Sequence, residues 1–364
     1  MPDLDTAAIE RAVAAVAVPE FGTDLAGAGA LIRLEKGGAR PAVNVRLALP
    51  LARIRAGLET SIAAAAAEAA GCPVDVGVEA VIAAHKPQGT LAPLPAVRNM
   101  IAIASGKGGV GKSTTAVNLA LALHREGARV GLLDADVYGP SQPLMLGLLG
   151  RQPESLDGKT FEPLTAYGIE TISVGFLVKE EAPVIWRGPM VTQAVSQLTF
   201  QTNWHDLDFL LVDLPPGTGD TQLTLSQKVP LAGVVIVTTP QEIAAQVARR
   251  GLRMFEKMGV SVLGVIENMA SFVCPSCAHE APLFGAGGGE RLAAECGVPL
   301  LGAVPLVASI RAQTDAGCPP VVAEPDGVVA ARYASIARQL ALALARRPRD
   351  QKHLFPRIVV EDRA

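Results

Sequence analysis

The sequence predicts an α/β fold, a mainly parallel, doubly wound sheet preceded by a small α+β domain. Short apolar runs centred on or bounded by Ile101, Val130, Ile169, Phe209, Val234, Val260 and Leu300 alternate with longer helix-like stretches. That alternation is the pattern of a parallel sheet with helices on both faces. A glycine-rich turn at 106–114 separates the apolar run 100–104 from an Ala/Leu-rich stretch reaching Leu123, which is the strand, loop and helix order of a phosphate-binding unit. Residues 1–85 have a different rhythm, and this predicts the separate small domain.

Within that first part, helical spacing covers 6–17 and an Ala-rich stretch at 51–70. Apolar alternation predicts strands near 30–34, 42–49 and 74–83. Residues 86–97 contain Pro87, Pro93 and Pro95 and read as a linker. Residues 98–346 form the α/β domain, closed by an amphipathic helix over 328–346 packed on the core. The last residues, 347–364, read as a tail.

Gly106, Gly111, Lys112 and Ser113 satisfy G-x-x-x-x-G-K-[ST]. Gly106, Gly108, Gly109, Val110, Gly111 and Thr114 are expected to turn backbone N–H groups toward phosphate at a helix N-terminus. Lys112 would reach β/γ oxygens and Ser113 would hold Mg²⁺. A rival pattern, G-x-G-x-x-G, is spelled by Gly106, Gly108 and Gly111, with Asp134 about 20 residues on, as in a dinucleotide fold. The Lys112–Ser113 pair decides against it, because a dinucleotide turn needs neither an ammonium nor a metal-binding hydroxyl there.

Two further apolar runs, 129–133 and 209–212, end in Asp134-Ala135-Asp136 and in Asp213-Leu214-Pro215-Pro216-Gly217. Carboxylates at strand ends face the ligand crevice of such sheets. Asp213 takes the position of an acid that holds Mg²⁺ through water, Gly217 can approach the γ-phosphate by its amide, and Asp136 can orient the attacking water. A solvated turn is the plain alternative for one Asp-x-Asp, but acids at successive strand ends argue for a site. Guanine-reading Asn-Lys-x-Asp is absent, and Asn268, after a strand, can bond an adenine edge or simply make a turn. ATP is the expected nucleotide.

The net charge is −3 and 18% of residues are charged, with no broad basic field for nucleic acid. The N-terminus MPDLDTAAIE is acidic, unlike a secretory signal, and no charge-free run reaches the roughly 18 residues of a membrane span. A cytoplasmic enzyme without nucleic-acid or membrane partners is therefore expected.

Five cysteines, an odd number, are poor material for disulfides in a reducing compartment. Cys274-Pro275-Ser276-Cys277 can instead share one metal, though two thiolates are half of a Cys₄ site for [4Fe–4S]. The other half has three sources: the same pair of a second subunit on a two-fold axis, other cysteines of this chain, or His279. Zinc held by Cys274, Cys277, His279 and one more ligand is the chemical alternative. Cys72, Cys296 and Cys318 read as small buried or loop residues.

Taken together, GKGGVGKST, DADVYGPS, WRGPM, DLPPGTGD and ENMASFVCPSC resemble the Mrp/ApbC ATPases. These are iron–sulfur cluster carriers of the deviant Walker A group of P-loop NTPases, relatives of MinD and ParA. The likeness covers about residues 98–320 in order. It implies a homodimer in which Lys107 reaches the partner's nucleotide, a [4Fe–4S] cluster bridging the two Cys274/Cys277 pairs, and transfer to apo-proteins, with scaffold or donor proteins as further partners. The first domain resembles the small domain preceding the ATPase in many members. Val18-Pro19-Glu20-Phe21 stands where Asp-Pro-Glu-Leu is usual, and no cysteine follows the second strand, so docking is expected of it rather than thiol chemistry. A MinD/ParA-like positioning switch, or an ATPase stapled by zinc at a dimer interface, would be the alternatives; the CxxC pair separates the first from a carrier.

Overall fold

The computed structural model describes residues 5–35, 40–177, 188–277 and 279–347. Its first part begins with α1 (Thr6–Ala14), capped by the Asp5 side chain, followed by the two-residue strands β1 (Ala17–Val18) and β2 (Thr23–Asp24). Strands β3 (Leu31–Glu35) and β4 (Ala42–Leu47) are antiparallel, and β5 (Asp75–Ala80) runs parallel to β4 after the crossover helix α2 (Arg55–Ala70). In β4, buried Val43, Val45 and Leu47 alternate with exposed Asn44 and Arg46, so one face meets the core and one meets solvent.

A nine-stranded sheet organises the rest of the described residues. In chain order its strands are β6 (Val97–Ser105), β7 (Val130–Asp134), β8 (Leu164–Ala166), β9 (Ile169–Ser173), β10 (Leu207–Asp213), β11 (Gly233–Thr238), β12 (Val262–Val273), β13 (Glu280–Ala281) and β14 (Leu300–Leu306). Strands β7, β10 and β11 are buried at every position, as consecutive apolar residues demand when both faces are covered. Spatially the order is β12-β11-β6-β10-β7-β9-β8, with β13 and β14 paired to β12; only β8 and β13 run antiparallel to their neighbours.

The covering helices are α3 (Lys112–Arg125), α4 (Gln142–Met145), α5 (Gly188–Phe200), α6 (Asp220–Lys228), α7 (Glu242–Lys257), α8 (Gly288–Cys296), α9 (Ala308–Asp315), α10 (Pro320–Ala323) and α11 (Val328–Ala345). From β6 the chain crosses to β7, and only later fills β10 between them and β11 on the other side. The loop after β6 therefore opens at the point where strand order reverses, which is where such sheets bind ligands.

Two expectations change. The residues read as a linker are tied down: the Gln88 side chain donates to the carbonyls of Ser226 and Val229 at the end of α6, both at 2.7 Å, and just before the linker His85 N donates to Asn99 Oδ1 of β6 at 3.1 Å. Nor is the first part packed separately, for Ile9, Phe21 and Leu25 join Leu119, Tyr333 and Leu340 in one continuous apolar cluster. Ala52 N donates to the Glu126 carbonyl at 3.0 Å and Gln339 Nε2 to the Phe21 carbonyl at 3.3 Å. Composition shows where chemistry changes along a chain, but not which apolar faces later meet. Of the WRGPM segment, Trp186 and Arg187 lie outside the described residues, as does the expected tail from 348 on.

Helix α11 is the one helix among the described residues long and apolar enough to cross a membrane. Half of it is buried here, against α3 and β14. Its Arg338 forks onto Glu126, Nη2 to Oε1 at 2.8 Å and Nε to Oε2 at 3.1 Å, and Glu126 is 1% exposed. Removing the guanidinium leaves a buried carboxylate uncompensated. Arg338→Ala should lower unfolding free energy by about 3–5 kcal/mol, with partial recovery in Arg338→Ala/Glu126→Gln; equal loss in both variants, measured by chemical denaturation, would rule out the charge as the cause.

Candidate functional site

Helix α3 starts at Lys112 because Gly111, at φ 79°, supplies a left-handed turn just before it. A side chain at Gly111 would also place its Cβ 2.2 Å from Asn268 Nδ2. Gly109, likewise at φ 79°, has open space where a Cβ would sit, so the outer side of the loop is a bare cradle of backbone. The helix N-terminus and its unpaired N–H groups suit an anion there.

Lys112 is 5% exposed. Its Nζ donates to Asp213 Oδ1 in a short bond, reaches Ser113 Oγ at 3.2 Å, and lies 3.6 Å from Asp136 Oδ2. Thus Ser113 and Asp213, the two residues expected around Mg²⁺, already converge on one positive charge. Asp213 is fully buried at the end of β10, in register with Asp134 at the end of β7. Burial pushes the Asp136 carboxyl up, opposed by Lys112. Asp134 is pushed up to about 7 by its burial and by the neighbouring Asp213, while Ser173 and the Gln142 amide hold it down.

Several expected nucleotide contacts sit in supporting positions. Asp134 faces inward: Oδ1 accepts from Asp136 N at 3.2 Å, and Oδ2 from Ser141 N, Gln142 N and Ser173 Oγ at 3.1, 3.2 and 2.9 Å. It fixes the turn that carries Asp136 rather than facing the crevice. Asn268 Nδ2 donates to the Val110 carbonyl at 2.9 Å, bracing the loop rather than an adenine edge. Gly217, at φ 112°, donates its amide to the Ser105 carbonyl at 2.9 Å, and Lys107 Nζ donates to Gln241 Oε1 at 3.2 Å, ahead of α7 in the same chain.

Two residues escaped the sequence reading. Gln142 Nε2 donates to Asp213 Oδ2 at 2.9 Å and to the Ser113 carbonyl at 3.1 Å; its place directly after DADVYGPS was the available signal. Glu267, 5% exposed, accepts from Gly289 N at the start of α8, and nothing local announced that. Asn268→Ala should weaken nucleotide binding roughly five- to tenfold, the worth of about 1 kcal/mol for one hydrogen bond. Gly111→Ala, which adds a clash and a disfavoured φ, should weaken it further; a fluorescent-nucleotide titration with Gly111→Ala at wild-type affinity would contradict the tight fit.

The thiol pair lies beyond the far end of β12. That strand continues seven residues past Ile266, where the apolar run that begins at Val260 ends, because β14 pairs with Glu267, Asn268 and Phe272, and β13 with Phe272 and Val273. Cys274 N donates to the His279 carbonyl at 3.0 Å, which closes the hairpin carrying half-buried Cys274 and exposed Cys277. Among the described residues no group of three or more His, Cys, Asp or Glu is placed to hold a metal.

Backbone N–H groups of Ser276 and Cys277 hold the Cys274 thiol below its ordinary value, whereas burial and Glu256 push Cys296 up. Thiolate is the reactive form. In metal-free protein near neutral pH, Cys274 should alkylate faster than Cys296; mass spectrometry showing the reverse order would remove this difference in acidity.

A family model described as ParA, NUBPL iron-transfer P-loop NTPase, matches residues 96–341. An iron–sulfur cluster carrier protein of Pseudomonas fragi is 55% identical over 263 residues, 72% of this chain and 92% of its own length. A protein of that name from Haemophilus influenzae is 43% identical over 329 residues, covering 90% of this chain and 88% of its own. Among solved structures, a nucleotide-binding protein in complex with ADP from Archaeoglobus fulgidus is 36% identical with a TM-score of 0.57, covering 64% of this chain and 91% of that one. The cell-division ATPase MinD of Pyrococcus furiosus, 21% identical with a TM-score of 0.50 over 66% of this chain and 98% of that one, shares the fold. The glycine loop, the acids around Lys112 and these likenesses lead to one statement: the chain belongs to the ParA/NUBPL family of iron-transfer P-loop NTPases.

Proposed function

We propose that this chain is an ATP-hydrolysing iron–sulfur cluster carrier that works as a homodimer, with Mg²⁺ at the nucleotide and a [4Fe–4S] cluster as cargo. One observation supports this: β12 braces the phosphate loop through Asn268 and ends at the Cys274/Cys277 hairpin, so a single strand joins that loop to a pair of thiols. Relatives named as cluster carriers or cluster-transfer proteins give the cargo its chemical class.

The donor set suits the nucleotide and its cation. Ser113 Oγ and the Asp213 carboxylate are hard oxygen ligands of the kind Mg²⁺ takes, and the loop amides and α3 N-terminus match phosphate. When bound, Mg²⁺ would supply charge neutralisation to the phosphate oxygens. Lys112, held by Asp213 and Asp136, is the cation that a phosphate would draw away from them, and its departure frees Asp213 for metal. Asp136, the less buried of the acids on this edge, accepts a hydrogen bond from the attacking water. Asp134, Asn268 and the Gly217 amide act by holding these groups in place. Lys107 exchanges Gln241 for the nucleotide of a second protomer.

At the other end of β12, two thiolates from each protomer make the four that a [4Fe–4S] cluster requires, brought together on a two-fold axis. The lowered pKa of the Cys274 thiol favours the thiolate, which is the ligating form. A cluster held at the rim of two subunits is accessible to an acceptor protein, as delivery requires. Anaerobic iron–sulfur reconstitution of the wild type and of Cys274→Ala/Cys277→Ala checks this. About four irons per dimer, absent from the variant and transferable to an apo-acceptor, is the expected result. Stoichiometric zinc, or iron retained by the variant, would overturn it.

A further inference from the structure

Gln142 has no assigned role, yet its side chain touches both residues expected around the cation. The Asp213 carboxylate and the Ser113 carbonyl are acceptors only, so the Gln142 NH₂ must be the end that faces them. This fixes the amide the other way round: Oε1 is left buried without a hydrogen-bond partner. Gln142 is itself fully buried, and its main-chain N–H is held by Asp134 Oδ2 at 3.2 Å. The residue is thus anchored at its backbone by one acid and spans to another with its side chain. Buried carbonyl oxygens seldom go unpaired, since an unmet acceptor is costly.

We propose that Gln142 is a positioning residue for the divalent cation of the nucleotide site. Its NH₂ fixes Asp213 Oδ2, so that Oδ1 is the oxygen offered to the cation's shell in place of Lys112. Its Oε1 accepts from a water of that shell, since Mg²⁺ keeps several of its waters when bound. The inference rests on the Mg²⁺–nucleotide reading above and adds to it a residue that acts on the metal more than on the phosphates.

The test separates metal from nucleotide. Binding of a fluorescent ADP analogue to the full-length protein is measured in EDTA, and then as a function of Mg²⁺ at fixed nucleotide, for the wild type and for Gln142→Met, which keeps the length and loses both polar atoms. The Mg²⁺ concentration at half-effect should rise roughly tenfold, while affinity in EDTA changes less than about twofold, the scale of losing hydrogen bonds to a charged group in one state only. An unchanged Mg²⁺ midpoint, or equal weakening with and without Mg²⁺, overturns the proposal, because a residue that only shaped the loop would act in both conditions. Should thermal melting show Gln142→Met unfolded, Gln142→Asn keeps the amide but is one methylene too short to span Asp213 and Ser113, and the same split is expected. A wild type whose nucleotide binding ignores Mg²⁺ would instead refute the underlying cation reading, and Gln142's role with it.

Discussion

One ammonium surrounded by acids is the interaction on which the rest of the site depends. Lys112, buried at the start of α3, bonds Asp213 and lies 3.6 Å from Asp136, with Asp134 behind them. Three carboxylates and one cation in a low-dielectric setting leave negative charge in excess. That excess contributes to the upward push on Asp134, and it makes the pocket receptive to a further cation. The geometry of two strands, β7 and β10, and the first turn of α3 is fitted to this cluster: Asp134 and Asp213 end those strands and Asp136 lies two residues beyond β7.

The supporting contacts make sense as consequences of that charge. An acid that must stay oriented in a dry site needs donors on its oxygens. Asp134 takes three backbone amides and a hydroxyl; Asp213 takes Lys112 and Gln142. The loop itself is braced from behind by Asn268. These contacts account for the placement of Asp134, Asn268 and Gly217, whose polar groups hydrogen-bond within the chain.

Legibility followed sequence distance. The phosphate loop, the three acids and the CxxC pair were readable because the chemistry depends on fixed local spacing and on the end of an apolar run. The parallel sheet was readable for the same reason. Gln142, Glu267 and the bracing role of Asn268 were not, since each depends on a partner 22 to 158 residues away and therefore on sheet order. The extra length of β12 was hidden as well, because Asn268 and Ser271 break the apolar run, and pairing with β13 and β14 carries the strand across an irregularity at Met269, whose φ is 56°.

The cluster that joins Ile9, Phe21 and Leu25 to Leu119, Tyr333 and Leu340 separates two meanings of the word domain. The family model begins at residue 96, although the likeness to the Haemophilus influenzae relative extends over 90% of the chain. By packing, no boundary falls there, since apolar side chains from both sides of it fill the same interior. Cutting the chain there would strip cover from α3 and α11 and expose apolar surface to water. A family match that starts at residue 96 therefore does not mark where the packed interior starts, and the leading module forms part of the ATPase's wall.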